Sequence, residues 1–380
     1  MTKEKGIPQI RFSGFTDTWE QRELGEIVKE VTRNDPTSEA PIMMITANNG
    51  FIEQSERYAF NNAGESLKKY ILLEKGELAY NHGASKLRPY GSCFALTTAE
   101  NARIPFVYHC FSVENQNAEF MSIELNSSEI ENQLRKIVSS GARMDGLLNI
   151  SFDEYSSVSV VLPSIEEQDR IAGFLRNLDR LITLHQRKYD KLTKVKKAML
   201  EKMFPKNGSL YPEIRFKGFT DAWEQRKLGD TVQITMGQSP DGSTYSDVPS
   251  DYILVQGNAD LQNGWVSPRV WTSQMTKKAD AGDLIMSVRA PAGAMGKTAY
   301  NAVIGRGVAA IKGNEFIYQL LEKMDSDGYW KALSCGSTFE SLNSDNIKNA
   351  DVLIPDVAEQ EKIGEYFLAI DRLITLHQRM

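Results

Sequence analysis

Residues 8–25 read PQIRFSGFTDTWEQRELG, and residues 212–229 repeat this stretch as PEIRFKGFTDAWEQRKLG. A second, shorter repeat follows in each half, because residues 179–187 and residues 371–379 both read DRLITLHQR. The segments that these repeats enclose have almost no sequence in common. Repeated segments around two unlike inserts indicate two units that bind a common partner and recognise two different targets.

The composition is that of a soluble globular protein. A chain of 380 residues is long enough for two or three domains, and 41% hydrophobic and 25% charged residues are ordinary values. No apolar run approaches the roughly 20 residues of a membrane span, and residues 1–9 lack the apolar core of a secretory signal. The cysteines Cys93, Cys110 and Cys335 fit neither a zinc pattern nor a disulfide framework. We therefore expect a cytoplasmic protein.

Each half follows the same order of predicted elements. A short amphipathic segment comes first, with apolar anchors at Phe12, Phe15, Trp19 and Leu24, and at Phe216, Phe219, Trp223 and Leu228. Short β-like runs separated by Gly, Asn and Ser follow at residues 70–73, 77–80, 106–111, 252–256, 283–288 and 307–311. A helix comes late in each insert, at residues 129–139 and 315–332, and a β-run ends in proline at residues 158–163 and 350–355.

A long helix then closes each half. Ser164 after Pro163 is a suitable N-cap, and Glu166 and Glu167 lie in the first turn, where the helix dipole favours anions. Apolar residues at coiled-coil spacing follow, namely Ile171, Phe174, Leu178, Leu181, Leu192, Val195 and Met199. The first helix would be roughly 40 residues and about 60 Å long. We expect the second helix to run antiparallel to it, with the apolar stripes packed together.

These elements predict an α+β fold. Two β-rich domains in a pseudo-two-fold arrangement would be separated by an antiparallel pair of long coiled-coil-like helices. The expected boundaries are a first domain at residues 1–163, its helix at 164–205, a linker at 206–211, a second domain at 212–355 and its helix at 356–380.

The repeated layout resembles the specificity subunits of type I restriction–modification systems. The resemblance is carried by the two GFTD-x-WEQR-x-LG openings, the identical DRLITLHQR tracts and the Glu-Gln pairs that follow Pro163 and Pro355 at the helix starts. It covers nearly the whole chain, and the layout is specific although each motif alone is weak. The resemblance implies a non-catalytic subunit with two target-recognition domains, each of which reads one half of a bipartite site in double-stranded DNA.

The same resemblance implies the partners and cofactors. The paired helices would set the spacing of the half-sites and dock two adenine methyltransferase subunits, and restriction subunits would join the full complex. S-adenosylmethionine, and ATP with Mg, would be bound by those subunits, so that this chain binds no cofactor and no metal. Met380 aligns with Lys188, so the counterpart of residues 188–204 is missing and the second helix would be about 24 residues long, roughly 36 Å. This predicts weaker docking of one modification subunit.

The candidate DNA-binding residues lie in polar loops. Readout of base edges needs Arg, Lys, Asn or Gln, and phosphates are bound by Lys, Arg and Ser. In the first half, loops at residues 81–88 and 139–143 and a nearby lysine pair supply Lys68, Lys69, Asn81, His82, Lys86, Arg88, Ser140 and Arg143. In the second half, loops at residues 237–245, 287–296 and 334–338 supply Gln238, Ser239, Ser243, Tyr245, Arg289, Lys297 and Ser337. For each residue the alternative is a solvated loop side chain, and for His82 it is structural burial.

The candidate partner-binding residues are the polar positions of the repeated tract. Burial alone would keep its leucines apolar but would not keep Thr183, Gln186 and Arg187 identical to Thr375, Gln378 and Arg379. A contact with a shared partner explains this identity, and the alternative is a scar of gene conversion.

Catalytic motifs are absent from the sequence. Neither the glycine-rich cofactor loop nor the Asn/Asp-Pro-Pro-aromatic tract of an adenine methyltransferase is present, and residues 293–298, GAMGKT, lack the first glycine of a P-loop. We therefore expect no enzyme activity in this chain. The net charge of −6 counts against a nucleic-acid binder, although it permits a local basic face. The competing interpretation is a truncated specificity subunit or a protein-interaction scaffold without DNA-directed activity of its own.

Overall fold

The computed structural model describes residues 8–47, 49–57, 64–138, 147–206, 208–334 and 341–378, and it divides into two compact units, Met1–Arg180 and Leu181–Met380. Both units contain helices and sheets, so the predicted α+β class is confirmed. The boundary between the units lies inside the longest helix, Ile165–Met203, which we number α5.

The first unit consists of short strands and short helices before α5. Its strands are β1 (Glu20–Glu23), β2 (Val28–Glu30), β3 (Met43–Thr46), β4 (Gly50–Glu53), β5 (Ile71–Glu74), β6 (Leu78–Asn81), β7 (Ser92–Ala95), β8 (Asn101–Ile104), β9 (His109–Val113) and β10 (Ser159–Leu162). Its helices are α1 (Gln54–Arg57), α2 (Ala118–Glu124), α3 (Ser128–Ile137) and α4 (Phe152–Ser156). The predicted strand at residues 106–111 begins three residues later, at His109.

The second unit has more strands. They are β11 (Glu224–Lys227), β12 (Gln233–Met236), β13 (Tyr245–Ser246), β14 (Tyr252–Val255), β15 (Leu261–Gln262), β16 (Trp265–Val266), β17 (Val270–Thr272), β18 (Lys278–Ala279), β19 (Leu284–Ser287), β20 (Met295–Lys297), β21 (Ala302–Ile304), β22 (Val308–Lys312) and β23 (Asp351–Ile354). Its helices are α6 (Leu228–Thr231), α7 (Glu315–Ser326), α8 (Tyr329–Ser334), α9 (Ser344–Lys348) and α10 (Val357–Gln378). The helix predicted at residues 315–332 is two helices, because Gly328 adopts a φ of 78°.

The two inserts share a sheet although they share almost no sequence. The main sheet of the first unit has the strand order β2-β9-β6-β7, and that of the second unit begins with the order β12-β22-β19-β20 before β16 and β15 extend it. All neighbours among these first four strands pair antiparallel in both units. The second unit adds a five-stranded sheet, β13-β17-β14-β21-β18. The unlike inserts are therefore two versions of one β scaffold.

The repeated opening segment pairs with the end of its own unit. The four residues after its Trp, EQRE and EQRK, are a strand in each copy, which the sequence did not predict: β1 pairs antiparallel with β10, and β11 pairs antiparallel with β23. Leu24 and Leu228 follow these strands, are fully buried, and donate their N–H groups to the carbonyls of Val158 and Ala350 over 2.9 Å. The repeated opening segment thus pairs with the last strand of its own unit, directly before the long helix.

A buried ion pair fastens this closure in both copies. Arg11 forms two hydrogen bonds of 2.7 Å with Glu167, and Arg215 forms two of 2.7 Å with Glu359. Both glutamates lie in the first turn of a long helix and are almost completely buried. A carboxylate with no access to water needs a paired cation with good geometry, and a bidentate guanidinium supplies it. The repeated arginine and glutamate therefore have a structural role, and we call the ion pairs Arg11–Glu167 and Arg215–Glu359 the clasp of each unit.

The C-terminal half of α5 packs against α10 within the second unit. Phe204, directly after α5, lies beside Phe367 with ring centroids 6.2 Å apart, and the Lys196 ammonium lies 2.8 Å from Asp371 and 2.8 Å from Glu322. These contacts run in opposite directions along the two helices, so this part of the pair is antiparallel, as predicted. Phe174, Leu178 and Leu181, for which we predicted packing in the same stripe, are instead 37–50% exposed. The described helices contain no segment long and apolar enough to cross a membrane.

Candidate nucleic-acid interface

Two of the predicted DNA-reading loops in each unit are joined at their base. In the first unit, Gly83 after β6 forms an isolated antiparallel bridge with Leu147, which is the first described residue after the predicted loop at 139–143. In the second unit, Arg289 after β19 forms the same bridge with Ser341, the first described residue after the predicted loop at 334–338. The sequence placed these loops far apart along the chain, and the structure brings their ends together.

The hydrogen bonds at these two junctions correspond atom for atom. The N–H of Leu148 donates to the carbonyl of His82 over 2.9 Å, and the N–H of Leu342 donates to the carbonyl of Val288 over 2.9 Å. Since β6 and β19 occupy the same place in the shared sheet order, the two junctions are equivalent positions of one scaffold. The candidate residues Ser140, Arg143 and Ser337 lie in the loops beyond these junctions, outside the described residues.

Arg289 has the strongest geometry for a DNA contact. Arg289 is exposed, while its backbone is held because its carbonyl accepts a hydrogen bond of 2.9 Å from the Ser287 hydroxyl. A cis peptide joins Ala290 to Pro291 immediately afterwards. An exposed arginine on a fixed backbone loses less conformational entropy on binding than one on a loose loop.

Arg306 joins this candidate site, and sequence reasoning missed it. The Val288 N–H donates to the carbonyl of Gly307 beyond the last β19–β22 pair, Ser287 with Val308, so the turn that carries exposed Arg306 adjoins the end of β19 that leads to Arg289. The turn is fixed by close backbone approach, because a Cβ at Gly307 would lie 1.9 Å from the carbonyl oxygen of Gln256. The GRG tripeptide at residues 305–307 was the signal that could have identified it.

The predicted loop at 237–245 contacts this turn at its beginning. Ser239 accepts a hydrogen bond of 3.1 Å from the N–H of Arg306, and Gln238 is exposed while its N–H donates to Ile304. Further along, Ser243 is bound to Asp241 in a local turn, and the Tyr245 hydroxyl donates to the carbonyl of Pro240 over 3.3 Å. Gln238 and Ser239 therefore lie beside Arg306, whereas the side-chain hydrogen bonds of Ser243 and Tyr245 are internal to their loop.

Lys297, a predicted DNA-binding residue, is held within its own unit by an acidic and an aromatic side chain. Its side chain is only 11% exposed, its ammonium lies 2.6 Å from Glu315, and it stands 4.1 Å from the centroid of the Tyr318 ring. A lysine held by a carboxylate and an aromatic face is not available to a phosphate without breaking both contacts. The GAMGKT segment is no P-loop either, because its lysine ends strand β20 and no helix follows it before β21.

Two predicted DNA-binding residues of the first unit also serve the scaffold. The Asn81 amide donates to the carbonyl of Ile45 over 3.1 Å and accepts from the N–H of Gly83 over 2.9 Å. His82 is buried, with both ring nitrogens against backbone carbonyls. Of the two readings considered for His82, the structure therefore selects burial.

The basic candidates of the first unit differ in how exposed they are and in which groups they already contact. Lys86 is exposed in the loop, and Lys68 is exposed with its ammonium 3.3 Å from Glu65. Lys69 is exposed and lies 5.9 Å from the centroid of the Phe106 ring. Arg88 is half-buried and donates to the carbonyl of Asn126 over 2.8 Å. Exposed surface ion pairs are weak, so Lys68 can exchange Glu65 for a phosphate at little cost.

The described partner-binding candidates lie on the two long helices and differ in exposure. Thr183, Gln186 and Arg187 are exposed on α5, and the Gln186 amide donates to Asp190 over 3.0 Å. Thr375 bonds back to the carbonyl of Asp371, and Gln378 donates to Asn263 over 3.2 Å. Arg379 lies outside the described residues. The leucines of the same tracts form apolar surface beside them: Leu181, for which we predicted packing, and Leu184, Leu373 and Leu376 are 45–54% exposed.

The repeated tracts also meet each other. His185 and His377 are equivalent residues 192 positions apart, and their Nδ1 atoms are 2.8 Å apart while the ring centroids are 5.1 Å apart. The nitrogens thus face each other directly along the line between the rings, and one proton must be shared between them. A contact of the repeat with itself explains the identity of the histidines without an external partner.

Acidification is expected to weaken this histidine pair. The pKa of His377 is lowered, first by burial and then by the charges of His185 and Lys188, so the unfolded chain binds a proton more tightly than the folded one. Stability should therefore fall as the pH drops below about 6.5, the ordinary value for histidine. Thermal unfolding of wild type and His377→Gln between pH 7.5 and 5.5 checks this. The variant should lose part of the pH dependence, and an unchanged dependence would refute the role of the pair.

No cluster of three or more metal-ligating side chains occurs in the part of the chain that the structure describes. The candidate site is a surface of arginines and polar loop residues on a duplicated β scaffold.

This duplicated architecture has known counterparts. The model of the type I restriction modification DNA specificity domain matches residues 16–194 and 220–380, so the chain belongs to this family, with two copies of the domain. The family consists of non-catalytic recognition subunits, in agreement with the expectation that this chain is not an enzyme.

Individual relatives span nearly the whole chain. A protein of Methanocaldococcus jannaschii named as the specificity subunit of the type I restriction enzyme MjaX is 25% identical over 405 aligned positions, covering 99% of this chain and 92% of the relative. The S subunit of a type I restriction–modification system from M. genitalium has a similar fold, with a TM-score of 0.63 at 13% identity, over 98% of this chain and 94% of that one. A chain from a structural study of complex assembly in a type I R-M system gives a TM-score of 0.51 at 21% identity, over 98% and 94%.

Proposed function

We propose that this chain reads a bipartite DNA site for a type I restriction–modification complex, with one half-site for each unit. The observation that carries the proposal is the equivalent junction in both units, where a loop after β6 or β19 is bridged to the end of a second polar loop. Two unlike loop sets on one scaffold are suited to two different base sequences. In the second unit, Arg289 and Arg306 supply the donors that guanine edges and phosphates need.

The helices α5 and α10 support the second part of the proposal. They would hold the half-site spacing and dock two modification subunits, through Thr183, Gln186, Thr375 and Gln378 together with the exposed leucines beside them. A mixture of exposed apolar and polar side chains on one helix surface is typical of a protein interface. The adenine methylation chemistry, with S-adenosylmethionine, and the ATP- and Mg-dependent restriction chemistry would belong to the partner subunits.

A methylation map tests this function. The chain is expressed with the modification subunit of its own system in a host without other adenine methylation, and modified adenines are mapped by single-molecule sequencing. We expect a split motif, with two short specified halves around an unspecified gap of fixed length. Methylation without any such motif, or with one uninterrupted motif, would contradict the proposal.

A protein-interaction scaffold without DNA-directed activity is the second candidate. The exposed leucines of both tracts and the net charge of −6 favour it. It predicts that the chain binds the modification subunit but that the assembled complex methylates no specific site, which the same map reveals when combined with co-purification.

A further inference from the structure

The turn before strand β9 in the first unit corresponds to the turn before strand β22 in the second. The N–H of Tyr108 donates to the carbonyl of Pro105 over 3.0 Å, and the N–H of Val308 donates to the carbonyl of Gly305 over 3.2 Å. Strands β9 and β22 also take the same place in the shared sheet order, because each pairs antiparallel with the strand that ends at a predicted reading loop, β6 or β19. The second residue of each turn therefore occupies one position of the shared scaffold.

Phe106 occupies this position in the first unit, and Arg306 occupies it in the second. The Phe106 side chain is 47% exposed, and the ammonium of the exposed Lys69 lies 5.9 Å from the centroid of its ring. A single exposed aromatic side chain is ordinary on a protein surface. The place of Phe106 sets it apart, because an exposed arginine suited to a DNA contact stands at the same position of the other unit.

The backbone that carries Phe106 and Lys69 is held on both sides of the contact. The carbonyl of Val107, the next residue of the turn, lies 2.7 Å from the Nε2 of the buried His82 ring. The side-chain amide of Asn34 donates over 2.8 Å to the carbonyl of each chain neighbour of Lys69. Side chains on a held backbone lose less conformational entropy on binding, so this pair is prepared for a contact with a ligand.

We propose that Phe106 reads a thymine in the half-site of the first unit by packing against its C5 methyl group, while Lys69 binds a neighbouring phosphate. The thymine methyl group is the apolar feature that a base pair presents in the major groove. A phenylalanine ring offers an apolar contact surface and no donor, whereas the arginine at the same position of the second unit offers the donors that guanine accepts. The two units then read different base pairs from one position of a common scaffold. This inference rests on the proposed DNA-reading function.

The counterpart in the second unit also decides between two ways in which an aromatic ring can contact a duplex. An apolar side chain can insert as a wedge between base pairs from the minor groove, or it can pack against base edges in the major groove. A bidentate contact of arginine with guanine uses O6 and N7, which lie in the major groove. Two equivalent turns on one scaffold approach their half-sites in the same way, so the position of Arg306 favours the major groove for Phe106.

Replacement of thymine by uracil in the DNA tests the contact without a change in the protein. Uracil keeps the hydrogen-bonding groups of thymine and lacks only the methyl group. Each thymine of the mapped motif is replaced singly, and binding of the complex of this chain with its modification subunit is measured. We expect one thymine, in one half-site, at which uracil weakens binding about fourfold, the effect of one lost methyl contact.

The outcome of this scan separates the inference from the function on which it rests. If the wild-type complex binds its split motif selectively but no thymine responds to uracil, the reading of a methyl group is refuted and the proposed function stands. If the wild-type complex binds no split motif selectively, the proposed function itself is refuted.

Variants in the same complex assign the contact to its residues. Phe106→Ala should bind thymine and uracil equally at the responding position, because the ring that contacts the methyl group is gone. Ile123→Ala shortens another apolar side chain of the same unit, 40% exposed, and should keep the fourfold difference. Lys69→Ala should weaken binding about equally on all sequences and reduce the salt dependence by about one ion.

Three results would overturn the assignment. A difference between thymine and uracil that survives in Phe106→Ala would place the methyl contact on another residue. A loss in Phe106→Ala that is equal on every sequence would indicate a wedge and not the reading of a base edge. An unchanged salt dependence in Lys69→Ala would refute the phosphate contact.

Discussion

Replacing Arg215 with alanine is expected to lower the free energy of unfolding of the second unit by about 3–5 kcal/mol. The variant leaves Glu359, whose side chain is fully buried, without the guanidinium that binds both of its oxygens over 2.7 Å. An uncompensated buried charge is among the costliest point defects in a protein. For a unit of this size the melting temperature should fall by about 10 °C.

The second unit offers a matched control for this defect. Arg226 is half exposed and pairs with Glu224 on the surface, so Arg226→Ala should change stability by less than about 0.5 kcal/mol. In the double variant Arg215→Met with Glu359→Leu no charge remains buried, and most of the loss should be recovered. Differential scanning calorimetry of the wild type and these three variants measures the loss in Arg215→Ala and its recovery in the double variant. A melting temperature of Arg215→Ala close to that of Arg226→Ala would refute the clasp.

The apolar anchors and the long helices could be predicted because they depend on local sequence patterns or on the internal repeat. Leu24 and Leu228 were identified as anchors, and the long helices follow from capping residues and three- and four-residue spacing. The clasp could not be predicted, because Arg11 and Glu167 are 156 residues apart and nothing in the sequence links them. The strand in WEQR was missed for a related reason: its residues are polar and mostly exposed, and only the ladder to the end of the unit makes them a strand.

The candidate site residues were chosen by residue type, and the structure shows which of them are exposed and which are held by other side chains. Lys297 was chosen because it is a lysine in a glycine-rich loop, and its aromatic and acidic neighbours, Tyr318 and Glu315, come from a later helix. Arg306 was missed because its interest depends on the nearness of its turn to the end of β19, which only the pairing of β19 with β22 supplies. The likeness of the two inserts was also hidden, because strand order is set by backbone pairing and tolerates almost any change of side chain.

Replacing Arg289 with alanine is expected to remove selectivity at one base position of the second half-site, at a cost of about 1–3 kcal/mol in binding. The side chain is exposed on a backbone held by the Ser287 hydroxyl, so a bidentate contact to guanine needs little further ordering. Recognition of the first half-site should be unaffected, because it depends on the other unit. Binding of the assembled complex to DNA with single changes in either half-site measures both effects.

Two further variants decide what Arg289 contacts. Arg289→Lys keeps the charge but loses the planar fork of donors, so it should behave like the alanine variant if the contact is to a base and like wild type if it is to a phosphate. If the contact is to a phosphate, Arg289→Ala should also weaken binding equally on all sequences and reduce the salt dependence by about one ion. Arg226→Ala, an exposed arginine on strand β11, should alter neither selectivity nor salt dependence. If Arg289→Ala matches this control, Arg289 is not part of the reading surface of the second unit, and other residues of that unit must carry recognition.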